Sequence, residues 1–450
     1  MPSDIFDVAH FARRPKRQHR KKPNVLILAV VLCLTVGVLA GFWLLRRSKT
    51  TTADNASEYS PEGAFIAEVY QTIQNNYWQQ LSDDQLSQLF LQALSQTYGT
   101  QPELTEKSAS AVAKLTEQLV KDNPGAENEQ RLAQSVDLIL SSLQPLNRSR
   151  LYSQTQKTDL ENRVANRDTN TDLFQTLEVD KTASDGEIQA AYENKKAEVE
   201  QTATSEAEKT EQLAQVDRAY TALDTANNRE RYAETKVEPT IQSKKLANKV
   251  YMVKITQFSP TTVQDLQQVI SQLQVPAGSA LILDLRDNVG GAIDGLPYFL
   301  APFIGNNQYA YQFFSQGKTL DFKTKGGILP QLDQFKQMVV LINDQTQSSA
   351  EVMAATLKKY HRGIIVGTAS KGWGTVERVF PLEHQLSENN TYSLFLVHSV
   401  TLDEAGEPIE GTGVKPQVTV TQPNWKENLS EYVPNPELIS AVATLIQPAL

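Results

Sequence analysis

The feature that most constrains this chain is a run of 21 residues without a charge, Val25–Leu45. At about 1.5 Å per residue, a helix of that length reaches about 31 Å, enough to cross the ~30 Å hydrocarbon layer of a bilayer. Seven Lys/Arg precede it in Arg13–Lys22, and Arg46, Arg47 and Lys49 follow. The excess of positive charge on the N-terminal side predicts a cytoplasmic N-terminus and an extracytoplasmic bulk. The expected layout is a basic cytoplasmic segment over 1–22 and a single transmembrane helix over 23–45, in contact with membrane lipid. Cleavage as a signal peptide near Ala40 is the competing reading. The apolar run continues past it through Phe42, Trp43 and Leu45, longer than a usual signal core, which favours an uncleaved anchor in the cell membrane.

Charge is divided unevenly around this run. The chain holds 43 basic and 52 acidic residues, a formal net of −9. Residues 1–50 hold ten basic and two acidic ones, which leaves a net of −17 for the remainder. That balance argues against a nucleic-acid partner, and the basic head belongs with the apolar run. The single cysteine, Cys33, lies inside the run and excludes a disulfide framework. Five scattered histidines do not make a zinc pattern, and no phosphate loop is evident, so neither metal nor cofactor is expected.

Residues 46–61 are polar and read as a linker. A helical region over 62–160 follows. Phe65, Val69, Ile73 and Tyr77 make one stripe, and Leu86, Phe90 and Leu94 a second, with Ser82-Asp83-Asp84 supplying cap chemistry. Residues 110–121 and 129–143 read as two more helices, broken by Asn123-Pro124-Gly125. A further block over 171–233 contains Leu173-Phe174-x-x-Leu177, Ala183-Ser184-Asp185-x-Glu187-Ile188-x-x-Ala191-Tyr192, Ala219-Tyr220-x-x-Leu223 and Arg229-x-x-Tyr232. It resembles a J-domain, the helical module of DnaJ-type co-chaperones. Where that module carries His-Pro-Asp, this chain has Glu200-Gln201-Thr202. The block therefore reads as a helical hairpin acting as spacer or docking surface.

Near Lys249 the pattern changes. Val250–Ile255, Ala280–Leu285, Met338–Ile342, Gly363–Gly367 and Ser393–Val397 read as strands; Val263–Leu273 and Val352–Leu357 read as helices. Alternation of this kind predicts an α/β core over 247–422, preceded by all-α segments. A tail over 423–450 carries a short apolar helix, Leu438–Ile446.

Three stretches of this core carry its chemistry. They are Ile282-Leu283-Asp284-Leu285-Arg286-Asp287-Asn288-Val289-Gly290-Gly291, Val340–Glu351 with Ser348-Ser349-Ala350-Glu351, and Ile365–Glu377 with Gly372-Trp373-Gly374-Thr375-Val376-Glu377. Their order and spacing resemble the tail-specific, or C-terminal processing, serine peptidases. Lys254-Ile255-Thr256-Gln257-Phe258, Gly411-Thr412-Gly413-Val414-Lys415-Pro416 and Ser141-Ser142-Leu143-Gln144-Pro145 extend the likeness to about 63–160 and 247–422. The resemblance implies a crotonase-like peptidase core and exported polypeptide substrates or ligands, and it is compatible with a homo-oligomer. The J-like block then stands where the family usually has a PDZ domain.

The family uses a serine nucleophile and a lysine base. Ser348 occupies the nucleophile position. Trp373 stands in place of the lysine and Glu377 in place of a glutamine. Gly290, Gly291 and the Ser349 N–H are the oxyanion-hole candidates that the resemblance implies. An indole only donates, so Trp373 cannot take a proton from Ser348. Lys371, two residues earlier, lies on the same face of an extended segment and is the candidate displaced base, with Glu377 as a holder for its ammonium. That carboxylate opposes base function by raising the lysine pKa. The leading functional reading is a membrane-anchored serine peptidase with an altered dyad; the alternative is a pseudoprotease that binds polypeptide without cutting it. His361 reads as a C-terminal helix residue favoured by the dipole, His384 and His398 have no partner readable from sequence, and Asp284 reads as a structural hydrogen-bonding group.

Overall fold

A computed structural model describes residues 59–403 and 405–446. The predicted transmembrane helix over 23–45 and the linker up to Glu58 lie outside the described residues. Among those described, no helix is long and apolar enough to cross a membrane.

Four helices open the described chain: α1 (Pro61–Asn76), α2 (Asp83–Tyr98), α3 (Ala109–Asp122) and α4 (Asn128–Ser142). Both predicted stripes are interior, Phe65, Val69 and Ile73 on α1 and Leu86, Phe90 and Leu94 on α2. Tyr77 is buried just beyond the end of α1. Ser82 caps α2 in a reciprocal arrangement with Gln85. The region closes with strand β1 (Arg150–Ser153) and helix α5 (Gln154–Val164).

The insertion is helical: α6 (Leu173–Thr176), α7 (Asp185–Thr202), α8 (Glu206–Leu223) and α9 (Ala226–Thr235). It has a core of its own around Phe174, Ile188, Val216, Leu223 and Tyr232. The turn between its long helices is Ala203-Thr204-Ser205; Glu200-Gln201-Thr202 still belong to the last turn of α7.

The rest of the chain builds two sheets. Its elements are β2 (Ile241–Ala247), β3 (Val250–Ile255), α10 (Thr262–Gln272), β4 (Ser279–Asp284), α11 (Leu296–Ile304), β5 (Tyr309–Ser315), β6 (Lys318–Lys323), β7 (Phe335–Ile342), α12 (Ser349–Lys359), β8 (Ile364–Gly367), β9 (Thr375–Pro381), β10 (Tyr392–Leu402), β11 (Val418–Thr419), α13 (Trp425–Tyr432) and α14 (Pro436–Ile446). One sheet runs β11-β8-β7-β4-β3-β2 and is parallel except for the β2–β3 pair. Its side chains alternate between two cores. Val253, Leu281, Leu283, Val340 and Ile342 face α10, α11 and α12, whereas Val250, Ile282, Val339 and Leu341 face α13 and α14. These strands are covered on both faces, so they read as unbroken apolar runs with no polar alternation. The second sheet, β1-β10-β5-β6 with β9 on β10, is antiparallel and packs on α1–α4 through Leu151, Leu394 and Leu396.

Two boundaries shift. The core sheet begins at Ile241, before the expected residue 247, because β2 pairs with β3. Strand β1 leaves the helical region and joins the second sheet by pairing Arg150 through Ser153 with β10.

Candidate active site

Parallel strands end together, and the loops that leave their carboxyl ends form a natural crevice. Here β4 leads into the turn 285–292, β7 into the loop 343–348 and β8 into the loop 368–374. Their hydrogen bonds join the three loops. The Gln347 N–H donates to the Asn288 carbonyl at 3.0 Å and the Lys371 N–H to the Thr346 carbonyl at 2.9 Å. The Thr346 hydroxyl donates to the Leu285 carbonyl at 2.8 Å.

Ser348 stands at the mouth of α12 with φ 56° and ψ −126°, a backbone state that side-chain-bearing residues rarely adopt. Its hydroxyl lies beside Gly290, where an added Cβ would stand 3.0 Å from it. Gly290 makes room for it: a Cβ there would lie 2.5 Å from the Ser348 Cβ. Gly291, with φ 128°, lies against the Phe258 carbonyl, which a Cβ would meet at 2.0 Å.

The oxyanion-hole candidates separate on their hydrogen bonds. The Gly290 N–H donates to the Asn288 Oδ1 at 2.8 Å and is not available to a ligand, which corrects its candidacy as a donor. Asn288 is fully buried and also donates from Nδ2 to the Ile255 carbonyl at 2.8 Å, so its amide braces the turn. Among the described residues, the Gly291 and Ser349 N–H groups have no acceptor. The latter belongs to the first turn of α12, where backbone donors point outward and the helix dipole favours negative charge.

Glu351 organises the other side of Ser348. It is fully buried and accepts four hydrogen bonds: from the Ser348 N–H at 2.8 Å, the Ser370 hydroxyl at 2.6 Å, the Gly372 N–H at 2.7 Å and the Trp373 N–H at 2.8 Å. Burial pushes its carboxyl above the ordinary glutamate value, and these donors pull the other way. Ser370 in turn accepts from the Val414 N–H at 2.6 Å, tying in the closing Gly411–Pro416 segment. Sequence reasoning assigned Glu351 no role. Its signal was present as a capping-box spacing, serine followed three residues later by glutamate.

Trp373 is held on every side. Its backbone is bound by Glu351. Its indole Nε1 donates to Glu377 Oε1 at 3.3 Å. The Arg148 guanidinium lies over the ring, 3.4 Å from its centroid, and pairs with Glu410 at 2.8 Å. Such a stack contributes up to about 2 kcal/mol when shielded from water. Glu410 also accepts from the Gly374 N–H at 2.8 Å. Glu377 further accepts from the Thr375 hydroxyl at 2.6 Å, and desolvation pushes its carboxyl up.

The structure does not bring Lys371 into this cluster. Its side chain is exposed, and its ammonium bonds to neither Ser348 nor Glu377. The expected holder, Glu377, holds the indole instead. The physical reason is that Glu351 and Thr346 fix the backbone on both sides of Lys371, with the alternate residues Ser370 and Gly372 turned inward. The histidines acquire partners elsewhere: His384 Nδ1 lies 3.0 Å from Glu68, and His398 Nδ1 lies 2.9 Å from the Asn76 carbonyl. His361 is exposed just past α12. Asp284 is fully buried and grips Arg286 at 2.7 and 2.8 Å, in keeping with a structural role.

The core over residues 249–420 has known relatives. Residues 249–420 match the model of peptidase family S41. The chain is 31% identical over 188 residues to the carboxy-terminal processing protease CtpA of Bacillus subtilis, covering 41% of this chain and 38% of that protein. It is 31% identical over 176 residues to a carboxy-terminal-processing protease of Bartonella bacilliformis, covering 38% of each. Among solved structures, the photosystem II D1 C-terminal processing protease matches 45% of this chain and 55% of its own, at 21% identity and a TM-score of 0.35. A lipoprotein of Streptococcus agalactiae matches 61% and 93%, at 19% and 0.34. The chain carries a domain of peptidase family S41, the tail-specific or C-terminal processing serine peptidases. Its match spans less than two fifths of the length of the Bacillus and Bartonella relatives.

Proposed function

We propose that this chain is a membrane-anchored, outward-facing member of the family that holds exported polypeptides at the Ser348 site without hydrolysing them through a Ser/Lys dyad. The observation that carries this reading is the side chain of Trp373, fixed by Arg148 and Glu377 at the position of the family's lysine. An unassisted serine hydroxyl is a weak nucleophile, and an indole cannot act as its base. No described side chain hydrogen-bonds to the Ser348 hydroxyl. The open Gly291 and Ser349 N–H groups remain suited to a peptide carbonyl. The charge-free run over 25–45 with its basic flank supports the anchor, and the J-like block serves as a docking or spacing element.

Hydrolysis with Ser348 as nucleophile is the second reading. The positive φ of Ser348 and the two open donors favour it, because both features present a hydroxyl and a carbonyl to one another. A serine-directed fluorophosphonate separates the two, with Ser348→Ala as the control. The first reading expects no labelling above that control, together with recovery of bound unfolded polypeptide intact. Ser348-dependent labelling and cleaved polypeptide would establish the second.

A further inference from the structure

We infer that Asp265, held by Arg231 of the helical insertion, is a positioning residue for the Gly290–Gly291 turn beside Ser348. Arg231 lies on α9, inside the Arg229-x-x-Tyr232 motif, and its Nη1 pairs with Asp265 Oδ1 at 2.5 Å. Asp265 lies in the first turn of α10 and is 4% exposed. Among the described residues, the Nε and Nη2 of Arg231 are buried without a hydrogen-bond partner, and Asp265 is the carboxylate that pairs with and orients this cation.

The other oxygen of Asp265 starts a buried relay. Oδ2 accepts from the Thr240 N–H at 2.8 Å and lies 3.0 Å from the Thr240 hydroxyl. That hydroxyl is 2.8 Å from the Thr262 hydroxyl, which accepts from the Ser259 N–H at 2.7 Å. The next residue, Phe258, is bonded on both sides to the glycine turn: its N–H donates to the Gly290 carbonyl at 2.8 Å, and its carbonyl accepts from the Ala292 N–H at 2.7 Å. The Gly291 carbonyl accepts from the Ser349 hydroxyl at 3.0 Å. Thr240, Ser259, Thr262 and Phe258 are all at most 4% exposed, so water does not substitute along this path. Gly291 has no Cβ and so supplies no side-chain packing of its own; its orientation follows Phe258.

The consequence is that the insertion is bolted to the part of the core that aims the Gly291 N–H. This rests on the reading that the turn belongs to a polypeptide-binding site. The test is chosen to be independent of turnover at Ser348. Hydrogen–deuterium exchange is measured on the full chain in detergent for the parent, Asp265→Ala, Arg231→Met and Arg231→Lys. The expected result is exchange at least tenfold faster over 286–292 in the first two variants, with 392–402 on the second sheet unchanged and Arg231→Lys close to the parent. Acceleration confined to 225–240 and 259–268 would overturn the inference, as would uniform acceleration across the chain. If Asp265→Ala fails to fold, Asp265→Asn, which keeps the shape and removes the charge, is read by the same criterion. Polypeptide binding measured on the same variants reports separately on the functional reading: normal binding with a loosened turn would count against the site, not against the relay.

Discussion

Glu351 accepts four hydrogen bonds in a place that excludes water, and this makes it the residue on which the two halves of the site depend. Glu351→Gln replaces one acceptor oxygen with a donor that faces backbone N–H groups. The expected loss is about 3 kcal/mol of unfolding free energy in denaturant titration, from orphaned buried donors. A loss below about 0.5 kcal/mol would show that the loop is held by other contacts. Glu377 makes a pH-dependent prediction. Its carboxyl is raised above an ordinary value near 4.5 because it is desolvated beside Trp373. Above that ordinary value, until the folded-state carboxyl itself ionises, the folded chain binds more protons than the unfolded one, so this group's contribution to stability falls as pH rises. Glu377→Gln removes that dependence. The melting temperature of the variant relative to the parent is expected to climb as pH rises above about 4.5, and a constant difference would contradict the burial argument.

At the scale of elements, the sequence was most legible where burial imposes a period. The stripes on α1 and α2 and the apolar strands β3, β4 and β7 all declare themselves, because a helix face or a doubly covered strand leaves only one arrangement of apolar residues. Strands β2, β5, β6 and β9 did not. β6 is an exposed edge, and β2 carries Ser243, Lys244 and Lys245 on its outer stretch. The site was legible in part for the same reason. Ser348, the glycine turn and the replaced lysine could be placed through the resemblance to the family's motifs, but hydrogen-bond directions could not. Those directions withdrew Gly290 as a donor and turned Lys371 outward. They also revealed Arg148, a residue 225 positions from Trp373 whose stacking has no local pattern. The tail helix α14 supplies a stability prediction. Leu438 is fully buried against the sheet, beside Val442. Leu438→Ala is expected to cost about 3 kcal/mol, and a cost under about 1 kcal/mol would mean that the tail is loosely attached.

At the scale of the whole molecule, the proposed protein is an outward-facing polypeptide-binding core tethered by a membrane anchor. The full chain is expected to remain with the membrane through alkaline carbonate extraction, and a variant lacking residues 25–45 to be released. Release of the full chain would remove the anchor from the proposal without touching the site. In the proposed reading, Trp373 closes the position from which a base would act on Ser348. The most direct measurement is cleavage of an unfolded polypeptide by the parent, Trp373→Lys, and Trp373→Lys combined with Ser348→Ala. No cleavage by the parent is expected, and Trp373→Lys is expected to gain cleavage that disappears in the double variant, of order 10²-fold or more for a restored general base. Ser348-dependent cleavage by the parent, lost in Lys371→Ala, would contradict that reading.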